Sequence, residues 1–464
     1  MTPLKQFVHS TRSGSALLIA MIFIIVFSAL AVSMATLSGA NAQLASNQHK
    51  VNAALTAAQS GLEVVRYYLS GMSIPGSVAP ATRLNTVANK LIDNLAAAGL
   101  TNITVNYDTA TKTAAISNWL LNTQSDQSFR ATLGYGVDYD SLQLDVSGTS
   151  RELSRRIRTN FMFASVGNNV FDFGIATKGP LRTKGSIEVE GLNERIEASV
   201  YIESPNSLLA LEMIGKSSIA GDVSIVNRLA NTDIGNSSSI GGEKGTAAQK
   251  HVFIGVPSSE FPVPNPAGFE HYVQNTFIPE TTPTNNVTLQ NIRIPANSNP
   301  SFSGNVILKG IIFIEPPNAI KFNGNTQITG IIIANGSLDS PSSANKLEFL
   351  GTVDSHSVSE LPDQEFSELK QETGTFLLAP GFSVSFGGNF ATINGVIAAS
   401  GVNFFGNAGG TINGSVVNYA ETPMELDGNT DLIFNRSGID KNPAGFGPSK
   451  ILTFQPSSYS EIAL

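Results

Sequence analysis

The feature that most constrains this chain is an apolar stretch near its N-terminus. Residues 15–37 read SALLIAMIFIIVFSALAVSMATL, and residues 13–49 contain no Asp, Glu, Lys or Arg. A helix rises about 1.5 Å per residue, so roughly 20 apolar residues cross the hydrocarbon core of a bilayer. The stretch therefore predicts a membrane-spanning helix.

A short basic leader precedes the apolar stretch. Residues 1–14 carry Lys5 and Arg12 and no acidic residue. The excess of positive charge predicts that the leader is cytoplasmic and that the rest of the chain lies beyond the membrane. Residues 29–31 have the small-x-small form of a signal-peptide cleavage site. They lie inside a continuing apolar run without a polar boundary, so a cleaved secretory signal is the less favoured interpretation.

The helical pattern continues past the apolar stretch. Mostly apolar residues recur at spacings of three and four, which is typical of one helix face: Leu44, Gln48, Val51, Leu55, Ala58, Leu62, Val65 and Leu69. The first helix-stop signals are Ser70 and Gly71, followed by Pro75. We therefore predict a single helix over residues 15–70, roughly 80 Å long, half in lipid and half in water.

The order of these features resembles the N-terminus of type IV pilin-like proteins, in particular the minor pilins of the PilX type. The resemblance is carried by the basic leader, Gly14, the apolar helix and the sequence AAQSGLE at residues 57–63. It implies that a prepilin peptidase cuts after Gly14, so that Ser15 becomes the first mature residue. It also implies two kinds of partner, which are other pilin-like subunits packing against the helix and the inner-membrane assembly machinery.

One position departs from the major pilins. Major pilins have a glutamate at the fifth mature position, where it pairs with the N-terminal amine of a neighbouring subunit. That position is Ile19 here. Subunits of the PilX and tip types commonly lack the glutamate, so Ile19 fits a minor or tip subunit. It also leaves open a plain single-pass anchor that never enters a filament.

The composition limits the class of protein. A chain of 464 residues is too long for one core, so we expect two or three domains. Only 14 % of the residues are charged and 42 are glycine, which favours β architecture. The net charge of −8 argues against a nucleic-acid partner, because the sequence has no basic stripe that could neutralise phosphates. The absence of cysteine excludes disulfides and thiolate sites.

Residues 71–165 have the pattern of a small α/β headpiece. Residues 81–100 predict a short amphipathic helix, and five alternating stretches predict antiparallel strands: residues 103–107, 113–121, 128–137, 141–146 and 153–163. The one dense basic cluster is Arg151, Arg155, Arg156 and Arg158. We interpret it as the solvent face of an edge strand, where like charges deter unwanted pairing.

The C-terminal half contains an internal repeat. An apolar-x-apolar-x-Gly-Asn unit recurs at residues 301–305, 320–325, 347–352, 384–389, 402–407 and 424–429, with an earlier copy at 187–191. The glycines of these units from Gly304 onward are 20, 27, 37, 18 and 22 residues apart. Short period-2 runs joined by Gly-Asn turns at this spacing predict a parallel β-solenoid. We expect Phe322, Phe386 and Phe404 to stack inside it, and the asparagines to serve the turns.

The longer intervals predict insertions in the solenoid. We place the solenoid at residues 166–445, with insertions at 256–300 and 358–373 and a C-terminal tail at 446–464. The first insertion holds eight of the 22 prolines and is expected to be an arm that covers one side of the solenoid. The second is acidic and is expected to be partly helical.

The sequence shows no pattern of catalytic or metal-binding residues. Solenoid enzymes that act on polysaccharides need clustered carboxylates, whereas Asp339, Asp354 and Asp427 share no common offset in the repeat. The segment GGEKGT at residues 241–246 lacks the order of a phosphate-binding loop. The histidines have no metal-ligand spacing: His9, His49, His251, His271 and His356. We therefore expect no cofactor, no metal and no enzyme activity.

These observations combine into one prediction. The fold class is α+β, with a long N-terminal transmembrane pilin-like helix, a small headpiece and a parallel β-helix. The expected function is that of a minor pilin-like structural protein in type IV pilus assembly or surface display. We expect a single-pass inner-membrane protein with a cytoplasmic N-terminus and a periplasmic or extracellular solenoid, with the pilus tip as one location. The alternatives are an envelope scaffold or adhesin outside any filament and, least favoured, a β-helix carbohydrate-active enzyme.

Overall fold

The computed structural model of the protein describes residues 14–76, 78–100, 102–122, 126–438 and 441–462. Within these residues the chain forms two compact units. Unit 1 comprises residues 14–72, 81–163 and 452–462, and unit 2 comprises the remaining described residues of 73–80 and 164–451.

The helices of the described residues are α1 (Gly14–Ser70), α2 (Arg83–Ala97) and α3 (Asp363–Phe366), with 3-10 turns at Pro80–Thr82, Asn169–Asp172, Arg195–Ala198, Gly245–His251, Pro266–Tyr272, Val358–Glu360 and Leu369–Gln371. The strands of the first half are β1 (Ser73–Ile74), β2 (Val105–Asp108), β3 (Thr113–Asn122), β4 (Gln127–Tyr135), β5 (Ser141–Ser150), β6 (Leu153–Val166), β7 (Ile175–Thr177), β8 (Leu181–Gly191), β9 (Val200–Ile202), β10 (Leu209–Ile219), β11 (Val223–Ile225), β12 (Asn231–Ile234), β13 (Ser239–Ile240), β14 (Glu243–Lys244) and β15 (Val252–Ile254). Those of the second half are β16 (Asn275–Thr276), β17 (Thr288–Ile294), β18 (Ser301–Phe302), β19 (Asn305–Ile314), β20 (Ala319–Phe322), β21 (Asn325–Ala334), β22 (Lys346–Phe349), β23 (Val353–His356), β24 (Thr375–Phe386), β25 (Asn389–Asn394), β26 (Val396–Phe404), β27 (Gly409–Asn413), β28 (Val416–Asn418), β29 (Met424–Gly428), β30 (Asp431–Phe434) and β31 (Ser449–Ile462).

The C-terminal part of α1 packs on the sheet of unit 1. The small residues Ala54, Ala57 and Ala58 are buried there, followed by larger apolar residues on the same helix face. Gly148 on β5 is essential to this approach, because a Cβ at that position would overlap the backbone of Ala54 and Ala58. Small residues on both surfaces therefore bring the helix backbone directly against the sheet.

The sheet of unit 1 is an antiparallel meander from β2 to β6 that ends with β31. Strand β6 carries three arginines of the basic cluster, and Arg151 lies in the turn before it. Because β31 pairs with the outer side of β6, the prediction that these arginines lie on an edge strand is wrong. Arg158 donates to both carboxylate oxygens of Asp145, at 2.7 and 2.8 Å, and Arg156 donates to the Ser147 hydroxyl at 3.2 Å. These two arginines bond across the β5–β6 pair.

Residues 446–464 were expected to form a tail, whereas the structure has the strand β31. The strand forms because it has apolar and polar partners in unit 1. Leu452 is buried, Phe454 lies with its ring centroid 5.5 Å from that of Phe161, and the Ser458 hydroxyl accepts from the Asn160 amide at 2.8 Å. Unit 2 is consequently an insertion between two neighbouring strands of one sheet.

Unit 2 is a parallel β-solenoid, as the repeat predicts. Successive turns pair in register over long stretches, for example from Asn305↔Asn325 to Ile314↔Ala334. The apolar residues of the repeat point inward and form one continuous core. The predicted phenylalanine stack is present and longer than expected, with adjacent centroids 4.8–5.3 Å apart: Phe302, Phe322, Phe349, Phe386 and Phe404.

The order of the turns in space differs from their order in the chain. The last turn, β28 to β30, pairs in parallel with β7 and β8, the first strands of the unit. On the other side of this junction, β9 pairs in parallel with β11, and β11 pairs in parallel with β15. The turns of residues 288–434 are therefore followed in space by those of residues 175–254. The chain enters and leaves the solenoid in the middle of the stack.

This order requires a connection from one end of the stack to the other. Residues 255–287, called the arm below, provide it. The predicted insertion was 256–300, but Thr288–Ile294 is a solenoid strand that pairs with β19, so the irregular part is shorter. Strand spacing of about 4.8 Å makes the stack roughly 40 Å long, which an extended arm of this length spans easily.

The arm covers one side of the solenoid. On this side the outward residues are apolar, including Ile311, Phe313 and Ile331, and they form a second buried cluster with Phe261 and Phe269 of the arm. The acidic insertion contributes short helical turns to the same cluster through buried apolar residues: Val358, Leu361, Phe366 and Leu369. The covered sheet is therefore apolar on both faces, which explains why its strands lack strict alternation.

Asparagines connect successive turns in two ways. The asparagines that follow the repeat glycines bond to one another, as between Asn305 and Asn325 and between Asn407 and Asn429, both at 3.4 Å. A second, buried set supplies side-chain oxygens to backbone amides of the neighbouring turn, as Asn318 does for Asn299 at 2.7 Å. The buried set has no Gly-Asn signature and was not expected from the sequence.

The close contact between α1 and the sheet is open to a direct test. Gly148→Val should lower the free energy of unfolding by about 1–3 kcal/mol, because the added carbons overlap the α1 backbone and force it outward. Gly134→Ala on β4 is the matched control, since its Cβ would meet only the Thr113 methyl at 3.7 Å. Thermal unfolding of both variants in detergent checks the expectation, and equal melting temperatures would contradict it.

A second test concerns the glycine column of the solenoid. A Cβ at Gly351 would overlap the Gly324 carbonyl oxygen of the adjacent turn. Gly351→Ala should therefore lower the free energy of unfolding by about 1–3 kcal/mol. Gly401→Ala should leave it nearly unchanged, since its Cβ would lie 3.7 Å from the Ser383 Cβ. Urea unfolding followed by circular dichroism measures both, and a Gly401→Ala variant that unfolds equally early would refute the explanation.

Candidate functional site

The N-terminal part of α1 is the first candidate site. Ala16–Ser70 is one helix long and apolar enough, by length and composition, to cross a membrane. Residues 16–49 are exposed on every side of the helix, unlike the part that packs on the sheet. The large apolar side chains keep about half or more of their surface, such as Leu17 at 68 % and Phe27 at 65 %.

The residues implied in processing and assembly lie at the start of this segment. Helix α1 begins at Gly14 and continues through Ser15, and the side chains of these two residues lie outside the described part. Ile19 is 54 % exposed in the first turns of the helix. The leader with Lys5 and Arg12 precedes residue 14 and also lies outside the described residues. Cleavage after Gly14 and the role of position 19 stay predictions.

The solenoid brings its histidines to separate acidic or aromatic neighbours. The Nδ1 atom of His251 is 2.7 Å from the Asp222 carboxylate, and the His271 ring centroid is 3.9 Å from that of Tyr272. His356 lies between Asp354 and Glu360, at 3.3 and 3.2 Å. Among the described residues there is no group of three or more acids and histidines arranged to hold a metal ion.

One charged cluster of unit 2 was missed by the sequence analysis. Lys178 lies with its Nζ 5.5 Å from the Phe261 ring centroid and 5.9 Å from that of Tyr419. Burial raises the pKa of the nearby Glu203 carboxyl, and the charge of Lys178 partly offsets this. Ser258 donates to Glu203 at 3.2 Å. No sequence signal could have found this cluster, because its members come from distant turns and from the arm.

A second carboxylate, that of Glu197, has its pKa shifted in the opposite direction. Burial alone would raise the pKa of Glu197, but hydrogen bonds hold it below its ordinary value. The donors are the Asn193, Glu194 and Arg436 backbone amides at 2.7, 3.2 and 3.0 Å, with the Asn193 side-chain amide at 3.2 Å. Glu197 thus joins the first turn of the solenoid to the end of the last one.

The two carboxylates predict opposite effects of pH on stability. The lowered pKa of Glu197 means that its stabilisation is present above the unfolded-state value of 4.5 and is lost as pH falls through the folded-state pKa. The raised pKa of Glu203 means that its ionisation costs stability, and that the cost grows as pH rises above 4.5. At pH 7, Glu197→Gln should therefore destabilise by about 1–3 kcal/mol, whereas Glu203→Gln should stabilise.

The free energy of unfolding of both variants and of the wild type, measured between pH 3 and pH 8, tests the two predictions. The Glu197→Gln difference should shrink as the pH falls below the unfolded-state pKa of 4.5. The Glu203→Gln difference should begin to shrink at a higher pH and should be gone once the pH has fallen below 4.5. The same sign for the two variants at pH 7 would contradict the assignment of their environments.

The comparisons with known proteins bear on the N-terminal site. Residues 13–63 match the family model described as PilX N-terminal. No curated protein sequence matches the chain. Among solved structures the chain is similar to the competence-associated pilin ComZ from Thermus thermophilus, at 12 % identity and a TM-score of 0.23, over 89 % of this chain and 97 % of that one. A TM-score of this size does not define a common overall arrangement. The family match is confined to residues 13–63, so the exposed apolar part of α1 lies in a stretch that is similar to the N-terminus of the PilX family.

Proposed function

We propose that this chain is a minor pilin-like, membrane-anchored structural protein that acts in type IV pilus assembly or surface display, with unit 2 exposed outside the membrane. The observation that carries the proposal is the contrast along α1. Its residues after 53 pack on the unit 1 sheet, whereas residues 16–49 are apolar and exposed on all sides. The match of residues 13–63 to the PilX N-terminal family supports it.

The exposed segment needs an apolar environment. Burying one large aliphatic or aromatic side chain is worth about 1.5–3 kcal/mol, and this segment carries many of them on consecutive helical turns. A bilayer supplies this environment before assembly, and the helices of other pilin-like subunits supply it in a filament. The same surface serves both, because it has no charged residue from position 13 to position 49.

The ends of the segment determine its orientation in the membrane and indicate two further partners. The basic leader stays in the cytoplasm, where a prepilin peptidase cuts after Gly14 and leaves Ser15 as the first residue. The inner-membrane assembly machinery then acts on the mature helix. The sheet of unit 1 and the whole of unit 2 lie on the periplasmic or extracellular side, and the large inserted solenoid suits the tip of a filament.

A second candidate function is a membrane-anchored scaffold or adhesin outside any filament. The observation that favours it is Ile19, because an isoleucine cannot form the charge pair that a glutamate makes with the amine of a neighbouring subunit. Both candidates share the anchor and differ in what the helix packs against after processing.

We also propose that the solenoid acts by binding rather than by catalysis. Asp339 lies in a loop after β21, Asp354 is next to His356, and Asp427 closes a turn by accepting the Gly428 amide at 2.7 Å. The three aspartates that the sequence singled out thus have separate local roles. This arrangement supports a surface for recognition more than a pair of catalytic carboxylates.

Processing of the N-terminus tests the proposal directly. In cells with an active prepilin peptidase, mass spectrometry of the purified full chain should find Ser15 at the N-terminus. Gly14→Val should abolish this cleavage, because it replaces the residue directly before the proposed cut. Gly39→Val is the matched control, since this helix glycine has open space around it, and processing should be normal.

The outcomes separate the candidates. An intact Met1 in cells that process their own pilins would overturn both the pilin-like assignment and the cleavage site. A mature Ser15 terminus with the chain recovered in sheared surface filaments supports the pilus subunit. The same terminus with the chain only in the membrane pellet supports the anchored scaffold.

A further inference from the structure

A groove crosses several turns of the solenoid in unit 2. Its volume is about 1210 Å³. The residues of its floor come from neighbouring turns, with Lys346 on β22 facing Ser383 on β24 and Ser383 facing Gly401 on β26. The groove therefore runs along the solenoid axis, across the strands rather than parallel to them.

Because the groove crosses the strands, side chains and not backbone groups are available to bind a ligand. Backbone groups of the floor strands are paired with the turns above and below, so no free strand edge is available for an added peptide strand. Side chains are presented instead, at the strand spacing of about 4.8 Å. That spacing is close to the length of one pyranose unit in an extended sugar chain. Side chains of successive turns can therefore contact successive units of such a chain.

The walls of the groove are held in place before any ligand arrives. One wall is the arm at Val263 and Pro264, which the Tyr419 hydroxyl fixes by donating to the Pro262 carbonyl oxygen at 2.5 Å. The other wall is the loop after β21, where the Ser337 hydroxyl accepts from the Asp339 amide at 3.2 Å. A preformed groove loses less entropy on binding than a flexible one.

The lining is mixed in polarity and balanced in charge. Two lysines and two carboxylates line it, namely Lys178, Lys346, Asp339 and Glu421, together with serine hydroxyls and the Asn403 amide. The balance gives no net attraction for a polyanion. The aromatic residues Phe382 and Tyr419 are buried, so affinity would come from hydrogen bonds to hydroxyl and amide groups.

We propose that this groove binds a neutral oligosaccharide chain laid along the solenoid axis over Lys346, Ser383 and Gly401, with about one sugar unit per turn. The proposal goes beyond anchoring and assembly, and it does not depend on whether the chain enters a filament. Hydroxyl-rich chains present a donor or acceptor at every unit, which matches a lining that offers donors and acceptors at every turn.

Titration of the full chain in nanodiscs tests this. The probes are cellotetraose, chitotetraose, cellobiose, tetragalacturonate and a Gly-Ser octapeptide, with binding followed by saturation-transfer NMR and calorimetry. At least one neutral tetrasaccharide should bind at least ten times more tightly than the disaccharide, the anionic chain and the peptide.

Two groove variants and one control locate the site. Gly401→Trp fills the floor without backbone strain, since a Cβ there meets only Ser383 at 3.7 Å, and should weaken binding at least tenfold. Lys346→Ala removes an exposed side chain at the end of the floor row and should weaken it at least threefold. Lys309→Trp, on an exposed strand position outside the groove, should change neither binding nor the melting temperature.

Binding by the wild type that is weakened by these factors in both groove variants and kept in the control would establish the site. The proposal is overturned if neither neutral tetrasaccharide binds, if Gly401→Trp and Lys346→Ala bind like the wild type, or if Lys309→Trp weakens binding equally. Tighter binding of the octapeptide would show that the groove recognises an extended polypeptide and would also overturn it.

Discussion

The structure of unit 2 depends on the parallel ladder between its last turn and its first. Strands β28 to β30 pair with β7 and β8, and this pairing joins two chain segments into one stack. Without it, residues 175–254 and residues 288–434 would each expose an unpaired row of backbone groups at the junction, which is costly. The buried carboxylate of Glu197 reinforces the same junction through its bonds to Asn193 and Arg436. The arm is the direct result, because a stack joined in this order needs a connection between its far ends.

Among the described residues, the long run of exposed apolar side chains lies on α1 at residues 16–49. In the solenoid even the outward apolar side is covered by the arm and the acidic insertion. In unit 1 the helix approaches the sheet through Gly148 and neighbouring alanines. The exposed apolar part of α1 is the exception to this pattern, and large exposed apolar surfaces mark sites of interaction with lipid or protein. The contrast between these covered apolar surfaces and the exposed part of α1 marks the N-terminal segment as a site of interaction.

The sequence predicted the local structure well and the order of the turns poorly, for a physical reason. Phe322, Phe386 and Phe404 stack as expected because an apolar-x-apolar run fixes which face of a strand is inward. The same regularity makes the turns nearly equivalent as pairing partners, so nothing local indicates that β8 lies beside β29. The strand β31 and the Lys178–Glu203 cluster were missed for the same reason, since both exist only through contacts between distant parts of the chain.

The position of the junction also governs how such a domain can change in length. Near it, the Asn168 amide donates to the Lys441 carbonyl oxygen at 3.2 Å, so the incoming and outgoing segments lie side by side. Turns gained or lost at either end of the stack would leave these two segments where they are and would alter only the arm. The solenoid is in this sense free to grow or shrink at both ends while its attachment to the chain remains fixed, which is a route to diversity among proteins that share one anchor.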